Sequence, residues 1–112
     1  MSYEENYAQQ LEMLHVTWEA FKEHGVTEDT ELVLEFNYIA PSKEQAKSLC
    51  DSIEDFETSV SSEGVLKKKW SVEGKTFPLT TTKEELIQWL DFMVSTGWEH
   101  NCEFDGFGAS MP

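Results

Sequence analysis

Residues 31–40 read ELVLEFNYIA, with Leu32, Leu34, Phe36 and Tyr38 alternating with Val33, Glu35, Asn37 and Ile39. Large apolar side chains at every second position define a strand with one strongly apolar face. Pro41 ends this run. Ser42 with Gln45 then forms a capping box, and Ala46, Leu49, Cys50 and Ile53 recur at helical spacing. A helix is therefore expected over about residues 43–54.

The same alternation of periods returns downstream. FETSVSS (56–62) alternates Phe56, Thr58 and Val60 and reads as a weaker, more polar edge strand. Glu63-Gly64 supplies a turn. Within residues 65–79 the strand formers are Trp70, Val72, Phe77 and Leu79, and Glu73-Gly74-Lys75 suggests a small hairpin tip or a bulge. Thr82 with Glu85 is a second capping box. Leu86, Trp89, Leu90 and Met93 follow at helical spacing, which predicts a helix over about 83–96. A last short strand, Cys102 to about Phe104, enters the closing stretch CEFDGFGASMP.

The order β-α-β-β-α-β is that of the split βαβ arrangement, an antiparallel sheet with two helices on one face. The expected fold is thus α+β, a ferredoxin-like βαββαβ sandwich occupying about residues 30–111. An additional N-terminal helix over 4–23 precedes it. In that helix Tyr7, Leu11, Leu14, Trp18 and Phe21 share one face, and Gly25 supplies a C-terminal cap. The seam can pack on the domain, covering the other sheet face or reaching outward, or pair two copies of the chain as a homodimer through residues 4–23. At 112 residues the whole chain, 1–112, fits one domain.

Charge narrows the partners. There are 22 acids, 8 lysines and no arginine, giving a net charge of −14. Such a field repels phosphate backbones, which argues against direct nucleic-acid binding, and favours encounter with a basic protein segment. Lys67, Lys68 and Lys69, ahead of Trp70, run against this trend and read as a solvated face or a guard against edge pairing. Two cysteines, Cys50 and Cys102, are too few for a disulfide scaffold. With no basic-then-apolar leader and no apolar run near the ~18 residues of a membrane span, a cytoplasmic protein with reduced thiols and no membrane contact is expected.

Candidate chemistry fails on spacing. Asn101, Glu103, Asp105 and Gly106 stand like positions 1, 3, 5 and 6 of a calcium loop, but the twelfth position, which needs a bidentate Glu, is Pro112. Gly106 and Gly108 lack the following Lys-Ser/Thr and the helix N-terminus of a phosphate cradle. His100 and Cys102 could share one side of a strand, but His15, His24 and Cys50 lie on other elements. Cys50 sits on an apolar helical stripe, where a buried structural thiol is expected. No catalytic, cofactor-binding or metal residues are assigned, and the chain is not read as an enzyme.

The closing residues Glu103, Phe104, Asp105, Gly106, Phe107, Gly108 and Ala109, preceded by the helix over 83–96, resemble the E-Y-D-G-W-G-T ending of the family of regulator of ribonuclease activity B (RraB), the ribonuclease E inhibitor-like family. Phe107 stands where Trp is usual and Ala109 where Thr is common. The acid excess lies in the N-terminal half (net −11 over residues 1–57) rather than in the long acidic C-terminal tail of the best-known member. The resemblance implies a ferredoxin-like, non-catalytic protein without cofactor. It would modulate RNA degradation by protein–protein interaction, binding the scaffold region of ribonuclease E or another basic segment. In the motif, Asp105-Gly106 is expected to turn the chain, with Phe104 and Phe107 anchored on opposite sides of it. The alternative to this structural reading is that Glu103, Phe104, Asp105, Gly106, Phe107 and Gly108 form a partner contact built around an exposed Phe107. Two other readings remain open: an immunity- or antitoxin-like binder of a different basic target, and a small-ligand-binding ferredoxin-like domain.

Overall fold

The computed structural model describes residues 2–63 and 69–111. The Glu63-Gly64 turn and, of the triple lysine, Lys67 and Lys68 lie in whole or in part outside the described residues. The elements run α1 (Tyr3–Glu23), β1 (Val33–Ala40), α2 (Lys43–Ser52), β2 (Glu57–Glu63), β3 (Lys69–Lys75), α3 (Lys83–Glu99) and β4 (Glu103–Ser110). The strands form one antiparallel sheet in the order β2-β3-β1-β4. Among the described residues the architecture is α+β, three helices and a four-stranded antiparallel sheet, compatible with the ferredoxin-like type.

The helix boundaries follow from local chemistry. Ser2, Ser42 and Thr82 each accept a hydrogen bond from the backbone N–H three residues on, at 3.1, 3.2 and 3.1 Å, so all three helices start on a side-chain cap. In both expected capping boxes the hydroxyl also donates to the Gln45 or Glu85 side chain, at 3.2 Å each. At the far end of α1, Gly25 has φ +80°. Gly25 N–H bonds the Lys22 carbonyl and Val26 N–H that of Phe21. This is a Schellman closure, in which glycine takes the left-handed position without a Cβ penalty. Helix α3 closes the same way with Asn101 at φ 58°, its N–H on the Trp98 carbonyl and Cys102 N–H on that of Gly97. α3 therefore runs three residues beyond the expected 96. Asn101, the first oxygen of the calcium-like spacing, is a helix cap.

Parity on β1 decides which side is covered. Leu34, Phe36, Tyr38 and Ala40 are buried and face the helices. They join Ala46, Leu49, Val72, Leu86, Leu90, Met93 and Phe104 in one cluster. Each fully buried Leu or Phe contributes about 1.5–3 kcal/mol relative to exposure. Tyr38 places its hydroxyl in this interior by donating to the Met93 carbonyl at 2.7 Å. Burial raises the phenol's pKa well above its ordinary value.

Helix α1 covers neither the opposite sheet face nor empty solvent. It packs beside α3 and along β4. Its 21 residues span about 31 Å at 1.5 Å per residue, close to the length of the strand beneath. The innermost positions are Asn6, Gln10 and Leu14, with Tyr3, Tyr7, Leu11, Trp18 and Phe21 partly buried around them. The seam read from the sequence is thus used within the chain, rotated toward two polar residues that apolar periodicity could not register. Asn6 donates to the Phe104 carbonyl at 3.0 Å and accepts from Trp98 Nε1 at 3.0 Å. It satisfies a strand carbonyl and an indole with one buried amide, which fixes the helix against this edge.

Two local expectations are corrected. Glu73-Gly74-Lys75 is neither hairpin tip nor bulge but lies within β3, paired on both sides. Glycine is needed there because a Cβ at position 74 would come within 2.5 Å of the Phe36 ring and 2.8 Å of the Glu57 carbonyl oxygen. The closing stretch is not a turn after a three-residue strand. It is the eight-residue strand β4, whose register shifts between Asn37 and Tyr38 of β1.

Candidate functional site

The register shift explains the motif. Gly106 pairs with Asn37 and Phe104 with Tyr38, so Asp105 is the extra residue of a β-bulge. Gly106 has φ +145°, a backbone conformation that side chains disfavour. The inserted residue changes the parity of the strand. Phe104 and Phe107, three apart, therefore point to the same, helix-covered side, where they were expected on opposite sides. Both meet the Trp89 ring edge to face, with centroids 6.2 and 5.4 Å away. Phe104 is fully buried and Phe107 half-buried. Of the motif residues expected to touch a partner, the two aromatics belong to the interior packing.

The other side of the same strands carries a different surface. Two rows of cross-strand neighbours face outward: Glu57, Lys75, Glu35 and Gly108, then Ser59, Glu73, Asn37 and Gly106. They line a groove of about 720 Å³ across all four strands, and the exposed Met13 of α1 closes it at the β4 end. Lys75 lies 3.5 Å from Glu57. Asn37 donates to the Asp105 carboxylate at 3.1 Å, and the Ser110 hydroxyl donates to Glu35 at 3.3 Å. Glu103, beside Ile39 further along β4, is half-buried. The structure therefore brings Gly106 and Gly108 to this groove, sets Asp105 beside it through Asn37, and takes Phe104 away from it; Phe107 borders the groove while its ring packs on Trp89.

Sequence reasoning missed Glu35, Glu57, Glu73, Lys75 and Met13 as a common surface. The parity of β1 already placed Glu35 and Asn37 opposite the apolar side. Reading Glu73-Gly74-Lys75 as a turn hid the matching residues on β3.

The remaining chemical groups are occupied structurally. His100 caps α3 and is not on a strand. Its Nδ1 lies 2.9 Å from Ser48 Oγ and its Nε2 2.6 Å from Ser52 Oγ, tying the end of α3 to α2. Ser52 Oγ also lies 3.4 Å from the Ser48 carbonyl oxygen. Cys102 is buried, and desolvation pushes its thiol up to about 11, away from thiolate reactivity. Cys50, expected to be buried, is half-buried. Tyr3 is raised to about 12, first by donating to Asp91 at 2.7 Å. Among the described residues no group of three or more His, Cys, Asp or Glu side chains could hold a metal ion, and no helix is long and apolar enough to cross a membrane.

Fold and groove together define a small α+β protein with one helix-covered sheet face and one open, acidic face. A comparison with models of known protein families finds no match, and a comparison with curated proteins finds none either.

Proposed function

We propose that the chain is a small acidic, non-catalytic, protein-binding regulator. In this reading it is a ferredoxin-like βαββαβ sandwich with an additional N-terminal helix, of the RraB-like type, acting in the cytoplasm. The observation that carries it is the uncovered sheet face. Glu35, Glu57, Glu73 and Asp105 gather there against Lys75, in a chain of net charge −14. The paired residues of the four strands put no aromatic side chain on that face among the described residues, and aromatic platforms are how open sheets of this kind stack bases. Its sign repels phosphates and attracts a basic protein segment. The partner is the scaffold region of ribonuclease E or another basic segment.

The test is a pull-down of that scaffold region by the purified chain, across a salt series. Binding at low salt that weakens as salt rises is expected. Absence of binding at low salt removes the ribonuclease E inhibitor reading and leaves the fold untouched. A homodimer through α1 would have to use its outer face, where Met13 and Val16 are exposed, because the aromatic seam packs on the chain's own core. Light scattering of the wild type and of a Val16→Glu variant tests this: a dimer lost in the variant supports it, and a monomeric wild type overturns it.

A further inference from the structure

Four residues of the closing motif have a reason inside the fold. Phe104 and Phe107 pack on Trp89. Asp105 is the bulge residue held by Asn37, and Gly106 takes a conformation that suits glycine. Gly108 is different. Its φ lies outside the left-handed region, and a Cβ built on it meets nothing within 4 Å. Glycine weakens a strand interior, so a glycine that neither backbone nor packing requires points to close approach from outside. Its neighbours agree. Gly108 ends the row Glu57, Lys75, Glu35, and with Gly106 it leaves the β4 side of the groove without side-chain walls as far as Met13.

We propose that the open-face groove seats an extended, Lys- or Arg-bearing segment of another protein. The segment crosses the four strands, its backbone close to Gly106 and Gly108, with an apolar residue against Met13. This rests on the protein-binding reading above and assigns it a surface. Three inter-strand spacings make about 14 Å, the reach of about four extended residues. That length carries two basic side chains facing the sheet, over the carboxylates. With Asp105, the two rows hold four carboxylates against Lys75, a net charge of −3, and Lys69 stands two rows further along. Charge complementarity selects a basic occupant, and the exposed thioether of Met13 offers an adaptable apolar contact at the groove's end.

The experiment is an NMR titration of the full chain at low salt with a short oligo-arginine peptide, using an oligo-glutamate peptide of equal length as control. Shifts are expected to concentrate on the amides of Glu35, Asn37, Glu73, Gly106 and Gly108. Gly108→Leu, which obstructs the groove, and Glu73→Gln, which removes one of its charges, are each expected to weaken binding by about tenfold. Glu12→Gln, removing an equal charge from an exposed position on α1, should leave binding unchanged. Shifts scattered over the acidic faces of α1 and α2 would overturn the groove while leaving the protein-binding reading intact. A folded Gly108→Leu variant that binds like the wild type would do the same. No binding on any surface would count against both.

Discussion

On the covered face of the sheet, Leu34, Phe36, Tyr38 and Ala40 of β1 are at most 4% exposed, whereas on the open face Glu35 and Asn37 of the same strand meet solvent. The glycines divide in the same way. On the covered side a Cβ at Gly74 would strike Phe36, and in α3 a Cβ at Gly97 would come within 2.6 Å of the Tyr38 ring. On the open side Gly108 faces empty space. Packing dictates the first set of residues closely, because an interior at crystal-like density leaves no room for choice. It dictates almost nothing about the second. Side chains on the open face are therefore where function can be written without loss of the fold.

The largest effect should come from the covered face. Phe104→Ala empties a fully buried site between Tyr38 and Trp89, whose centroids lie 5.1 and 6.2 Å from its ring. A loss of about 3–5 kcal/mol is expected in urea denaturation. A loss below 1 kcal/mol would mean that the two faces are not held to different standards. Next is Gly106→Ala. The new side chain has room but must adopt φ near +145°. A cost of about 1–3 kcal/mol is expected from backbone strain alone. Equal stability of this variant and the wild type would show that the bulge can slip to another register.

A smaller, pH-dependent effect also belongs to the covered side. Burial raises Cys102 from 9.0 to about 11. Between these values the native thiol keeps its proton while the unfolded one releases it. The contribution is fully present below pH 9 and is lost as pH rises through 11. The melting temperature should fall over that window, and Cys102→Ala should flatten the decline. Tyr38, raised further still, adds its own loss at higher pH.

The covered face was legible in the sequence because burial writes a period. The alternation of β1 and the stripes of α2 and α3 marked the element order, and Ser42 and Thr82 marked two helix starts. What periodicity could not carry was a change of parity. One inserted residue, Asp105, turns an apparent Asp-Gly turn into the middle of a strand. Glu73-Gly74-Lys75 likewise looks like a hairpin tip until Phe36 is seen packing against Gly74. The attachment of α1 was illegible for another reason. Its innermost positions include Asn6 and Gln10, whose amides an apolar count assigns to solvent. The groove was hidden because its residues come from four strands and α1, and only the register aligns them.

The sharpest division of the two faces is the smallest expected stability change. Gly108→Ala adds a methyl group to open space on an ordinary strand backbone. Alanine loses less backbone freedom than glycine on folding, and nothing is displaced, so stability should stay within about 0.5 kcal/mol of wild type or rise slightly. Measured beside Gly106→Ala, two residues away in the same motif, it separates a glycine the fold requires from one it does not. If Gly108→Ala costs as much as Gly106→Ala, position 108 is held by the fold and the argument for a close external approach is lost. If it costs nothing while Gly108→Leu weakens peptide binding by about tenfold, the glycine is explained by what comes to rest on the sheet.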